Sequence, residues 1–103
     1  MEVSNEIINI IPEIKTWRHQ LHAHPELGYE EKWTSDFVAK KLQSFGLEVN
    51  RGLGGTGVVG ILKGLDVNLG GGGNKAIGLR ADMDALPVKE ETNVSYASSK
   101  EST

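Results

Sequence analysis

The stretch Ala76-Ile77-Gly78-Leu79-Arg80-Ala81-Asp82-Met83-Asp84-Ala85-Leu86-Pro87 decides how this chain is read. It opens on a short apolar run, continues into two carboxylates spaced i, i+2, and is stopped by Pro87. That pattern predicts a buried strand over residues 76–81. Open α/β sheets place their chemistry at the carboxyl ends of strands, which is where Asp82 and Asp84 fall. Aspartate is also common in loops because its side chain bonds nearby backbone, so the pair alone does not define a site. Two carboxylates do not hold a catalytic metal by themselves, and Thr103 is reached before the sequence offers more ligands.

Upstream, Ile7, Ile10, Ile11, Ile14, Trp17 and Leu21 recur at steps of three and four, which predicts one helical face and a helix over about residues 4–23. Pro12 lies off that stripe and predicts a kink or the first turn of a second helix. Pro25 makes His24 a boundary. A second periodic run, Trp33, Phe37, Val38, Leu42 and Phe45, predicts a helix over residues 30–45. Glu30 and Glu31 before it and Lys40 and Lys41 near its end suit the helix dipole, and Gly46 is placed as a stop.

Residues 47–51 and 57–63 read as two strands joined across Gly52 to Thr56. Residues 64–75, with the run Gly70-Gly71-Gly72-Gly73, read as a loop. Beyond Pro87 the pattern weakens, and no packed element is predicted over residues 95–103. Two helices followed by three strands make the start of an α/β domain.

Composition narrows the function classes. The chain has 103 residues, enough for one small domain or part of a larger one. A net charge of -3 gives no footprint for nucleic acid or an anionic membrane. No cysteine is present, which removes disulfides and thiolate metal ligands. The apolar stretches are too short to span a bilayer, and the start lacks the basic character of a secretory signal, so the expected compartment is the cytoplasm.

Three further constellations bear on function. Gly52-x-Gly54-x-x-Gly57 spells a dinucleotide fingerprint, but Val58-Val59-Gly60-Ile61-Leu62 follows it as strand, whereas the fingerprint needs a helix there to hold the pyrophosphate. A hairpin turn is the expected reading. His19, His22 and His24 lack the i, i+4 spacing with an adjacent acid that marks a helical zinc pair, so hydrogen-bonding roles are expected. Glu30-Glu31 suits the helix dipole better than a general-base pair.

With these pieces in place, the chain resembles the amino-terminal part of the metal-dependent amidohydrolases related to hippurate hydrolase, N-acyl-amino-acid amidohydrolase and the auxin-conjugate hydrolases, within the aminoacylase and carboxypeptidase metallopeptidase superfamily. Four stretches carry the resemblance, in the family's order: Trp17-Arg18-His19-Gln20-Leu21-His22-Ala23-His24-Pro25-Glu26-Leu27-Gly28; Phe45-Gly46-Leu47-Glu48-Val49; Gly54-Gly55-Thr56-Gly57-Val58-Val59-Gly60; and Leu79-Arg80-Ala81-Asp82-Met83-Asp84-Ala85-Leu86-Pro87.

The resemblance implies an incomplete three-layer, zinc-peptidase-like catalytic domain, with residues 1–103 as its amino-terminal segment. The dimerisation domain and the later half of the catalytic domain would be absent. It implies hydrolysis of an N-acyl amino acid by water activated at a dinuclear site of zinc, manganese or a similar divalent ion, with a glutamate as general base. Complete members are often homo-oligomers. In much of the superfamily a metal-ligating histidine holds the place of Asp82. The branch resembled here carries aspartate, so Asp82 is only a candidate ligand. Asp84 matches an acid that lies behind the metal site and orients a ligand. The branch's own ligands come mainly from a Cys-Gly-His-Asp-x-His segment farther along, absent from this sequence, and the fragment is expected to bind no metal and to be inactive alone. The other reading is a non-catalytic binding or assembly module that keeps the amidohydrolase start.

Overall fold

The computed structural model describes residues 2–64 and 75–99. Two helices are followed by one antiparallel hairpin: α1 (Asn5–Ala23), α2 (Lys32–Ser44), β1 (Glu48–Leu53) and β2 (Gly57–Ile61). The α/β character expected from the sequence is present in that order.

Helix α1 starts where Ser4, in extended conformation, accepts from the Ile7 N–H. It runs through Pro12 without dividing into two helices. The Thr16 hydroxyl donates to the Pro12 carbonyl at 3.0 Å. At the far end the His24 N–H donates to Leu21 O, and Pro25 follows. The isoleucine stripe does not become a core face. Ile7 remains 53 % exposed and Ile14 44 %, because nothing among the described residues lies over this half of the helix. Only toward the carboxyl end does α1 gain neighbours, with Trp17 tilted against Phe45 at 5.8 Å and the Lys41 ammonium 4.9 Å from the Trp17 ring.

Helix α2 is shorter than expected by two residues at its start, since Glu31 is the N-cap and Glu30 lies outside. Its end is a complete Schellman motif. Gly46 takes φ +85°, its N–H donates to Gln43 O at 3.0 Å, and the Leu47 N–H reaches Leu42 O at 3.2 Å. The small face of α2, with Thr34, Ser35 and Ala39 buried, lies against the hairpin. Gly60 permits this approach: a Cβ there would sit 3.0 Å from Leu47 Cδ2 and 3.1 Å from Leu42 Cδ1. Arg51 of β1 ties the two layers, donating to Ser35 Oγ and pairing with Asp36. That hydrogen bond holds the Asp36 carboxyl below the ordinary carboxylate value.

The hairpin pairs Glu48 with Ile61 and Asn50 with Val59, and a register shift falls between Arg51 and Leu53. Gly52, at φ +89°, sits in that shift as the bulge, a conformation that favours glycine. The glycine cluster is therefore a hairpin turn entering a strand.

One expectation fails. No third strand forms over residues 76–81, and the sheet has two strands among the described residues. Ile77 is 92 % exposed and Leu79 96 %. A strand is stabilised by neighbours that take its backbone hydrogen bonds and cover its apolar side chains, and this stretch has neither here. Residues 95–99 form no helix or strand, as expected, yet some of them make specific contacts. Tyr96 stacks on His19, with ring centroids 3.6 Å apart, and the Ser99 N–H and hydroxyl both donate to Ala23 O. The expected glycine loop over residues 64–75 lies almost wholly outside the described residues.

Candidate functional site

Of the residues the sequence points to, His24, Glu31 and Asp84 lie around the loop between α1 and α2. His24 closes α1, its Nδ1 on Gln20 O at 2.9 Å and its ring stacked on Trp33 at 4.0 Å. Pro25 then turns the chain so that Glu26 faces the start of α2. Its carboxylate accepts from the Trp33 N–H at 3.0 Å, the Thr34 N–H at 2.7 Å and the Thr34 hydroxyl at 2.7 Å. Helix starts leave backbone N–H groups without partners, and a carboxylate there also meets the positive end of the helix dipole. Glu26 thus takes the first-turn N–H groups, while Glu31 stands at the helix start as the N-cap residue without a side-chain capping hydrogen bond. No acid lies in the first turn of α2. Glu31, buried, instead accepts from the Thr56 hydroxyl in the hairpin turn.

The segment Asp84-Ala85 docks onto this loop. The Ala85 N–H donates to the Glu26 carbonyl at 2.7 Å. Gly28 lies between two carboxylates: a Cβ there would be 3.7 Å from Glu31 Oε1 and 3.8 Å from Asp84 Oδ2. Asp84 is accordingly brought to the same loop as Glu26 and Glu31. Asp82 is not. Its side chain is 72 % exposed and pairs with Arg80 at 3.2 Å, a surface ion pair of little energetic weight.

A catalytic zinc site needs about three protein ligands. Among the described residues no three histidine, cysteine, aspartate or glutamate side chains come together in a way that could hold a metal ion. Asp82 and Asp84 therefore do not fit a metal by themselves.

The histidines divide. His22 and His24 have the hydrogen-bonding roles expected of them, with His22 Nε2 on the Glu90 carboxylate. His19 differs, since its Nε2 is buried with no hydrogen-bond partner among the described residues. Desolvation, with the charges of Arg18, Lys15 and His22 near it, holds His19 below the ordinary histidine value. Glu90 accepts from His22 and from the Ser98 N–H, and these hydrogen bonds hold it below the ordinary carboxylate value. Beside this pair opens a cleft of about 320 Å³ lined by His22, Pro25, Leu86, Val88, Lys89 and Glu90.

Glu26, Glu90 and Tyr96 were not singled out as chemistry-bearing residues. Glu26 had one signal, its place in His24-Pro25-Glu26 directly after a helix end. Glu90 had none, because its partner is 68 residues away.

Across 98 % of its length the chain is 49 % identical to a Campylobacter jejuni protein named hippurate hydrolase. It is 43 % identical over 90 % of its length to an N-acyl-L-amino acid amidohydrolase of Geobacillus stearothermophilus. Against thermostable carboxypeptidase 2 of Saccharolobus solfataricus it is 42 % identical over 95 % of its length. In each case it covers 25 % of the relative, so the chain spans about a quarter of the length of the curated relatives it matches. No family model matches it. No solved structure matches it either.

Proposed function

Since this chain belongs to the hydrolase family that includes hippurate hydrolase and N-acyl-L-amino acid amidohydrolase, we propose that it is the amino-terminal segment of the catalytic domain of an enzyme hydrolysing the amide bond of N-acyl amino acids. The domain it begins would be of the three-layer, zinc-peptidase-like kind. The observation that carries the reading is the docking of the Asp82–Pro87 segment on the His24–Glu31 loop through Ala85 and Glu26, which sets Asp84 beside Gly28 and Glu31.

In this proposal the chain supplies scaffold and a positioning acid. Glu26 fixes the start of α2, Glu31 fixes the hairpin turn, and Asp84 orients a ligand delivered from outside this stretch. The divalent ion, its direct ligands and the general base belong to sequence that this chain does not contain. The segment alone is therefore inactive, and the complete enzyme is a cytoplasmic homo-oligomer acting on a small substrate. No helix among the described residues is long and apolar enough to cross a membrane.

The test is a fusion in which the remainder of the Campylobacter jejuni relative follows Thr103. The product should hydrolyse benzoyl-glycine when supplied with zinc or manganese, and the bare chain should not. Turnover by the bare chain that survives repurification would refute the proposal. So would a folded fusion that loads metal and hydrolyses no N-acyl amino acid.

A further inference from the structure

Residues 84–99 cross from the loop between the helices to the last turn of α1 with no helix or strand of their own. Burial does not hold the first part of this strap. Residues 86–89 are all exposed, and the Val88 N–H turns back onto Leu86 O within the strap itself. Polar contacts on either side of them do the holding. On one side the Ala85 N–H meets Glu26 O. On the other, half-buried Glu90 joins the strap to α1 and to its own far end. One carboxylate oxygen accepts from His22 Nε2 and the other from the Ser98 N–H. Beyond it, Tyr96 stacks on His19 and Ser99 donates to Ala23 O.

Asp84 depends on this arrangement. Its carboxylate stands beside Gly28 but has no hydrogen bond of its own among the described residues, so the backbone at Ala85 sets its place. A neutral backbone bond such as that of Ala85 is roughly half as strong as one to a charged group. The bonds of Glu90 are of the stronger kind. Only residues 86–89 separate the two contacts, and Pro87 fixes one backbone angle among them. Building on the family reading above, we propose that Glu90 is a positioning residue for Asp84: held by His22 and Ser98, it keeps the strap seated, with Ala85 on Glu26 and Asp84 beside Gly28. Its effect on hydrolysis passes through Asp84.

Amide exchange in the isolated chain, read by NMR above the ordinary glutamate range, reports the coupling. Glu90→Ala should lower the protection of the Ala85 amide on the order of tenfold, the loss expected with charge-assisted hydrogen bonds, and leave α2 unchanged. Glu90→Gln keeps an acceptor for Ser98 without the charge and should fall between. His22→Ala removes the other partner while placing a favourable helix former in α1, and should lower Ala85 protection too. Glu91→Ala, exposed beside it, should be silent.

Ala85 protection within about twofold of the parent in Glu90→Ala overturns the proposal. So does a loss equalled by Glu91→Ala. Should Glu90→Ala also expose the α2 amides, His22→Ala decides by the same threshold. In the metal-loaded fusion with the remainder of the Campylobacter jejuni relative, Glu90→Ala should lower kcat with KM nearly unchanged. Added to Asp84→Ala, it should cost less than about twofold more, because both changes remove the same placed acid. Losses that multiply overturn the route through Asp84. A fusion that hydrolyses no N-acyl amino acid rejects the enzymatic reading alone, and the Ala85 amide of the isolated chain still decides whether Glu90 seats the strap.

Discussion

Replacing Glu26 with alanine should loosen α2 more than any other single change in the loop before it. The carboxylate accepts three hydrogen bonds, two of them from backbone N–H groups in the first turn of a 13-residue helix. Loss of an N-cap side chain costs about 0.5–2 kcal/mol. The Thr34 hydroxyl would also lose its partner in a residue only 5 % exposed, which adds about 1 kcal/mol or more. The terms overlap, and a combined effect of about 2 kcal/mol is expected, or roughly 30-fold faster exchange of α2 amides. A helix this short is marginal without tertiary support, so the effect should spread along it. Glu26→Gln keeps one carbonyl oxygen and should fall between the two. Glu13→Ala, on the exposed surface of α1, is the control. Exchange in Glu26→Ala within about twofold of the parent, the range of a neutral surface change, would refute the capping role.

Other consequences can be checked with the same protein. Gly57→Ala places a Cβ 2.4 Å from Leu53 O, so the hairpin should weaken by about 1–3 kcal/mol, seen as faster exchange at β1 and β2, whereas Gly64→Ala meets nothing within 4 Å and should be silent. The Glu90 carboxyl is depressed in the folded chain, so its hold on Ser98 is complete above the ordinary glutamate range and is lost as pH falls through the depressed value; the protection of the Ser98 amide relative to its intrinsic exchange rate should therefore fall on acidification, and a protection factor unchanged through the acid range would argue against the contact. Calorimetry of the bare chain with zinc or manganese should show no submicromolar binding, and tight binding lost in Asp82→Ala would contradict the ligand count. In the metal-loaded fusion, Asp84→Ala should lower hydrolysis about 10–100-fold and Glu30→Ala should leave it nearly unchanged, as fits a positioning acid against a residue outside α2.

Much of the local structure was legible because its causes are local. The periodic run from Trp33 to Phe45 with Gly46 behind it marked α2, and the glycines around Thr56 marked the hairpin. What could not be read depends on partners distant in sequence. Residues 76–81 have the composition of a strand, but a strand is made by its neighbours, and none among the described residues pairs with it. Glu30-Glu31 drew the dipole argument because capping signatures are sought next to the helix, whereas the acting carboxylate lies eight residues before Thr34. Tyr96 sits in a polar stretch, and only the fold reveals that it lies on His19. Of the two candidate acids, Asp84 lies beside Gly28 in the loop between the helices, a placement the sequence did not indicate, and Asp82 lies at the surface with Arg80.

Glu26 binds with both ends of the residue. Its side chain closes the loop onto Thr34 while its carbonyl receives Ala85. The residues from Glu26 to Thr34 therefore make a ring of fixed circumference, and a second segment hangs from the ring's first member. Loops ordinarily absorb insertions at small entropic cost. This one should not, since a residue added or removed would shift Glu26 relative to α2 and carry Asp84 with it. Length variation in relatives should accordingly be confined elsewhere, and a library of single-residue insertions should find residues 27–31 far less permissive than the exposed residues 62–64.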